Sequence, residues 1–319
     1  MSPDAPGPET PEPPMPPDAP DPPEEAEVFR NTLVDLLDTP AHMLTALRFV
    51  EDTARQTTGE RVVGELFQNA RDAMIQRPTR AGRLLVLLEP DALTVANDGA
   101  RLNRGGYESL TGICRSDKSH RVAGGGFRPL IQGAIRPMGG QGIGFKCVLW
   151  TSNQPQILAN TPGGGRFAVE LGAPRVKALC AALARADEAA LRDLLTPTEL
   201  AVLERELTPE RPLATRSLPT HLDTRGVSLE ALLDRLPTTP FPLWLHDLPP
   251  RAAGLLGWSG EPPEGGPYDT VIRLPFKPNQ AAQTLELIRD EIMPARQAFL
   301  GIQAKIRIQD EGRTPPDET

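Results

Sequence analysis

The chain has 319 residues, with 42 acidic and 34 basic side chains and a net charge of −8. This permits one large domain or two modest ones and gives no overall attraction to nucleic acid, although a local basic patch stays open. Three cysteines (Cys114, Cys147, Cys180) and four histidines are too few and too scattered for a zinc site or a disulfide framework.

Free thiols and a cytoplasmic location are therefore expected. The sequence has no run of eighteen apolar residues and does not start with a basic-then-apolar leader, so no membrane partner is expected. Residues 1–25 hold eleven prolines and seven acids but no basic residue, a composition that cannot bury a core and predicts a disordered, extended tail. Order is expected from about residue 26. Val28, Leu33, Leu36 and Leu37 predict a short helix stopped by Pro40, and a second helix is predicted over 41–56.

The segment Glu65-Leu-Phe-Gln-Asn69-Ala-Arg-Asp72-Ala73 is the most informative in the chain. At helical spacing its two carboxylates and one amide, at i, i+4 and i+7, share one narrow stripe. Val63, Phe67, Ala70 and Met74 form a separate apolar face for the core. Two readings of the polar stripe stand: a solvated helix face, or a site that holds a hydrated divalent cation beside a polarised water.

Apolar runs at 83–89 and 92–97, joined by Pro90-Asp91, predict a β-hairpin that ends in Asp98-Gly99. Residues 103–141 are rich in glycine and hold Arg115-Ser-Asp-Lys118-Ser119, which predicts a mobile flap over a site. Gly142-Ile143-Gly144-Phe145-Lys146 then reads as a glycine loop opening a helix. Strands are predicted at 155–160 and 165–171, helical structure over 174–206, and irregular chain over 207–266 apart from a helix at 228–236 and an apolar piece at 241–245. A strand at 268–274, a helix near 279–291 and a last strand near 302–308 complete the pattern.

Taken in this order, these features resemble the GHKL superfamily of ATP-binding domains, whose members include DNA gyrase B subunits, MutL-type repair proteins, ninety-kilodalton heat-shock chaperones and histidine kinases. Glu65–Ala73 is similar to their N-box. Asn97-Asp98-Gly99 stands where they carry Asp-x-Gly-x-Gly, and Gly139-Gly-Gln-Gly-Ile-Gly144-Phe145 resembles their second glycine box. The wording is most similar to sacsin-type modules, including Ser116-Asp-Lys118-Ser ahead of the glycine box and Thr270-Val-Ile-Arg-Leu-Pro-Phe near the end. The likeness covers about 59–172 and 266–308.

The resemblance implies an α/β two-layer sandwich (the Bergerat ATP-binding fold), with a mixed, mostly antiparallel sheet and helices on one face. In domain terms it implies an ATP-binding domain over 26–172 with its lid at 103–141. A helical and irregular insertion would follow at 173–265, completing strands and helix at 266–312, and a short tail at 313–319. It also implies ATP and Mg²⁺ as cofactors. Asn69 would supply an oxygen to Mg²⁺, which prefers hard oxygen ligands and keeps waters. Glu65 would orient and deprotonate the water attacking the γ-phosphate.

The nucleotide would further meet Asp72, Asn97, Asp98, Gly99, Lys118, Gly142, Ile143, Gly144, Phe145 and Thr270. For Lys118 a phosphate contact and a solvated residue are both open, and Lys146 reads as a solvated helix residue. Gly142 and Gly144 would let the backbone approach phosphate oxygens at a helix N-terminus. A P-loop is excluded, because no Gly-x4-Gly-Lys-Ser/Thr occurs. A carboxylate at position 65, and no phosphoacceptor pattern around His42, favour hydrolysis over phosphotransfer to histidine.

The sequence departs from the family at one place. Asn97 stands for the adenine-reading aspartate, with Asp98 beside it, and Arg101 replaces the second glycine of the box. An amide oxygen can still accept from the adenine 6-amino group, and a register shift would give that role to Asp98, so base selectivity is open. The function expected is a slow, Mg²⁺-dependent ATPase serving as a conformational switch in a protein assembly, in bacterial defence or DNA transactions, with ATP-dependent homodimerisation open. The alternatives are a chaperone-like ATPase and a nucleotide-binding scaffold without turnover. It also stays open that the chain is one module of a longer polypeptide.

Overall fold

The computed structural model describes residues 24–38, 61–77, 82–103, 106, 144–209, 212–213, 242–300 and 302–311. The helices predicted at 41–56 and 228–236, nearly all of the flap, and Lys118, Gly142 and Ile143 lie outside the described residues.

The frame is one seven-stranded sheet built from β1 (Gly82–Leu88), β2 (Ala92–Asn97), β3 (Gln156–Asn160), β4 (Arg166–Leu171), β5 (Pro242–Trp244), β6 (Thr270–Pro275) and β7 (Ala304–Asp310). Its spatial order is β5-β4-β3-β6-β2-β1-β7. Every neighbouring pair is antiparallel except β1 and β7, which run parallel. The fold is thus an α/β sandwich on a mixed, mostly antiparallel sheet.

The near-continuous apolar run of β1, Leu-Leu-Val-Leu-Leu, follows from burial on both faces. Leu84, Val86 and Leu88 point into the main core with Leu93, Val95, Ile157, Val169, Ile272 and Leu274. Leu85 and Leu87 point to the opposite face, where Ala96, Leu158 and Val271 join them. Edge strand β7 alternates instead. Ile306 and Ile308 pack on the main core, while Lys305 and Arg307 face outward and discourage pairing with another chain.

Helix α1 (Glu24–Asp38) is the first described element, and α2 (Val62–Ile75) carries the Glu65 segment. Val62, Val63, Leu66, Phe67, Ala70 and Met74 seat α2 on the sheet. Beside it lie a 3₁₀ turn (Gly144–Cys147), the short α3 (Val148–Thr151), and α8 (Ala281–Ala295), which contributes Leu285, Ile288 and Ile292. Among the described residues the opposite face takes one short helix, α7 (Pro250–Leu255), through Ala252.

The predicted helical stretch 174–206 is three helices: α4 (Ala173–Arg185), α5 (Glu188–Leu194) and α6 (Pro197–Glu206). Two local signals cut it. Asp187 caps α5 by accepting from the Ala190 N–H, after Ala186 turns left-handed at φ 52°. Thr196 and Glu199 form a reciprocal capping box, with Pro197 in the first turn of α6. These helices and α1 share a second core with Leu243 of β5. The fully buried Glu199 ties that core to the sheet by accepting from the Trp244 N–H at 2.7 Å.

Candidate nucleotide cleft

A cleft of about 150 Å³ opens between α2, the ends of β2 and β6, and the loop after β2. Its size is of the order of a cavity that holds one aromatic ring. Leu66, Ala70 and Ala73 of α2, Val95 of β2 and Ile272 of β6 give it apolar walls. Asn69, Asp72 and Gln76 line it from α2, Asn97 from β2 and Thr270 from β6, while Ala100, Arg101, Leu102, Asn103 and Gly106 form its mouth. An apolar slot with a few convergent polar groups is the form small-molecule sites take.

Helix and sheet each explain their share. Asn69, Asp72 and Gln76 follow one another at helical spacing along the side of α2 that flanks the core face. Asn97 and Thr270 face each other in register across the β2–β6 pair, so the two polar strand ends arrive together although 173 positions separate them in the chain.

Of the residues expected at the site, Asn69, Asp72, Asn97 and Thr270 are brought together at this cleft. Asp98 is spent elsewhere. One of its carboxylate oxygens accepts from the Arg83 backbone N–H and the other from Arg83 Nε, both at 2.6 Å. Successive strand residues point to opposite faces, which sends Asn97 to the cleft and Asp98 to Arg83. Arg83 in turn holds the 264–267 loop through carbonyls of Glu264, Gly266 and Pro267 and lies 4.7 Å over the Tyr268 ring.

Gly99 also has a packing task. A Cβ there would meet the Cβ and carbonyl carbon of Ala73 at 2.6 Å. This close approach lets the Ala100 N–H donate to the Ala73 carbonyl at 2.8 Å and bind the loop to α2. Phe145 places its side chain in the main core, and Gly144 begins the 3₁₀ turn.

Glu65 is half-buried and does not line the cleft. It stands one turn before Asn69, toward the Gly144–Cys147 turn. Burial pushes the Cys147 thiol well above its ordinary value, and the carboxylates of Glu65 and Glu291 push it further. Glu291 of α8 accepts from the Val63 N–H at 2.9 Å, which satisfies one open donor at the α2 N-terminus.

Sequence reasoning missed an ionic brace beside the mouth. The buried Asp269 receives Arg77 Nη1 at 2.6 Å on one oxygen and Arg101 Nε at 3.0 Å on the other. Arg77 also reaches the Gly99 carbonyl and Arg101 the Thr161 carbonyl, both at 3.4 Å. The Asp269 N–H donates to the Asn97 carbonyl. Asp269 thereby ties the Asn97 end of β2 to the loop that follows it. The adjacent strand residue Thr270 was the available signal for it.

Among the described residues no group of three or more His, Cys, Asp or Glu side chains could hold a metal ion by itself. No described helix is long and apolar enough to cross a membrane. Neither protein-family models nor curated proteins show a match to this chain.

Proposed function

We propose that the chain is a Mg²⁺-dependent ATP-binding module that hydrolyses ATP slowly and acts as a nucleotide-driven switch within a larger cytoplasmic assembly. The observation that carries this reading is the convergence of Asn69 and Asp72 of α2 with Asn97 and Thr270 of the sheet around one apolar slot. The likeness of the N-box and glycine-box segments to the GHKL superfamily supports it.

In this reading a purine ring enters between Ala70, Val95 and Ile272, with its polar edge toward Asn97, Thr270 and Asp72. The phosphates extend toward the α2 N-terminus and the Gly144 turn. Asn69 would offer one amide oxygen to a Mg²⁺ ion, a hard cation that takes phosphate oxygens and waters beside it. That arrangement suits a donor set without a carboxylate cluster. Held there, Mg²⁺ would supply charge neutralisation at the transferred phosphoryl group. Glu65, one turn closer to the phosphate end, accepts the proton of the attacking water. Nucleotide binding changes what the module presents to a protein partner or a second copy.

A second reading, a scaffold that binds nucleotide without turnover, draws on one observation: Glu65 lies outside the cleft lining. Phosphate release by wild type and Glu65→Ala separates the two. An ATPase loses turnover in the variant while keeping analogue binding. Equal release by both proteins removes Glu65 as the base, and no release by wild type supports the scaffold.

A further inference from the structure

We propose that the cleft does not discriminate at purine position 6, and that it takes a 6-oxo purine triphosphate about as well as ATP. The inference rests on the purine-nucleotide reading above. Asn97 carries it. Its Oδ1 accepts from the Gly99 N–H at 3.2 Å, and this local turn fixes the amide, because exchanging oxygen and nitrogen would set two donors against each other. The Asn97 amino group is then left for whatever enters the cleft that Asn97 lines. Among the described residues nothing accepts from it.

A carboxylate can only accept, so at this position it would repel the carbonyl of a 6-oxo purine. The adjacent carboxylate that could play that part, Asp98, is held by two Arg83 donors on the other side of β2. The Asn97 amide suits either base. With adenine, the second lone pair of Asn97 Oδ1 accepts from the 6-amino group. With a 6-oxo purine held in the same pose, the Asn97 amino group donates to O6. Thr270, opposite Asn97 in register, carries a hydroxyl that donates or accepts and so adapts to both.

The test is calorimetric titration of the full chain, with Mg²⁺, using non-hydrolysable analogues of ATP and ITP. Inosine is the clean probe because it changes position 6 without adding a 2-amino group. Wild type is expected to bind the two within about threefold, and Asn97→Asp to weaken the inosine analogue about tenfold or more relative to the adenosine one, the scale of one mismatched base-edge contact.

A wild-type preference for adenosine of tenfold or more overturns the proposal. So does an Asn97→Asp variant whose ratio equals that of wild type. If Asn97→Asp does not fold, the wild-type ratio decides alone. Binding of the inosine analogue without the adenosine one overturns the proposal as well, because that too is discrimination at position 6, and it removes ATP as the ligand. Binding of neither overturns both.

Discussion

Gly99 rests against Ala73 so closely that the smallest side chain added to it would overlap the Ala73 Cβ and carbonyl carbon at 2.6 Å. The atoms met are backbone and a Cβ fixed to it, so no flexible side chain can swing away. Gly99→Ala is expected to cost about 1–3 kcal/mol of stability, the usual penalty for overpacking. It should also weaken nucleotide binding, because the displaced loop carries Arg101 and continues directly from Asn97. Urea denaturation monitored by circular dichroism measures the first effect. An unchanged midpoint would show that the loop and α2 separate at no cost.

Asp98 and Gly99 adjoin the cleft, yet Asp98 serves Arg83. Removing one partner of a buried ion pair leaves the other uncompensated, which costs about 3–5 kcal/mol. Asp98→Ala is expected to lose stability on that scale while the fraction that remains folded keeps wild-type affinity for nucleotide. Asn97→Ala should do the reverse, with little loss of stability and a clear loss of affinity. Paired melting and binding measurements check both variants. A large affinity loss in Asp98→Ala would return Asp98 to the site.

Burial pushes the Cys180 thiol up to about 12, and burial with two nearby carboxylates holds Cys147 well above its ordinary value. The reactive species is the thiolate. Neither residue should be alkylated by iodoacetamide at pH 8 in the folded protein, and both should react fully in denaturant. Peptide mapping by mass spectrometry distinguishes them from Cys114. Rapid labelling of Cys147 in the native protein would mean that the Gly144–Cys147 turn opens readily.

Glu170, in the sheet beside Arg175, is raised above the ordinary carboxyl value of 4.5, chiefly by burial, with Arg175 opposing. A carboxyl raised in the folded state contributes stability that is fully present below its unfolded value and is lost as pH rises through the folded one. Glu170→Gln, a neutral mimic of the protonated form, should therefore melt like wild type near pH 4 and above it at pH 7. Thermal melts across pH 4–7 show this as a widening gap. A gap that narrows with pH would mean that the Arg175 pair outweighs burial.

Most of the frame could be read from local pattern. The α2 apolar face of Val63, Phe67, Ala70 and Met74 is buried as its spacing requires. The β1–β2 hairpin follows from two apolar runs around Pro90-Asp91. The α7 helix escaped notice because its six residues, Pro-Arg-Ala-Ala-Gly-Leu, are too short to show a period and begin with proline inside a proline-rich stretch. The breaks at Asp187 and Thr196 are cap chemistry, legible in principle but masked by a continuous leucine pattern.

At the site, the α2 stripe was visible because a helix writes its faces into its spacing. The choice between Asn97 and Asp98 was not, because it depends on which face of β2 each occupies and on Arg83 fifteen positions earlier. The Arg77–Asp269–Arg101 brace joins residues 168 or more positions apart, a distance that no local pattern records.

The central claim is that a purine triphosphate sits in the α2–β2–β6 cleft with its Mg²⁺ held by Asn69. Calorimetric titration with a non-hydrolysable ATP analogue, with and without Mg²⁺, tests it most directly. Wild type should bind more tightly with the metal present, and Asn69→Ala should lose most of that metal-dependent gain while keeping the metal-independent part. Absence of binding by wild type under both conditions, or an Asn69→Ala variant with the full Mg²⁺ gain, would contradict the account.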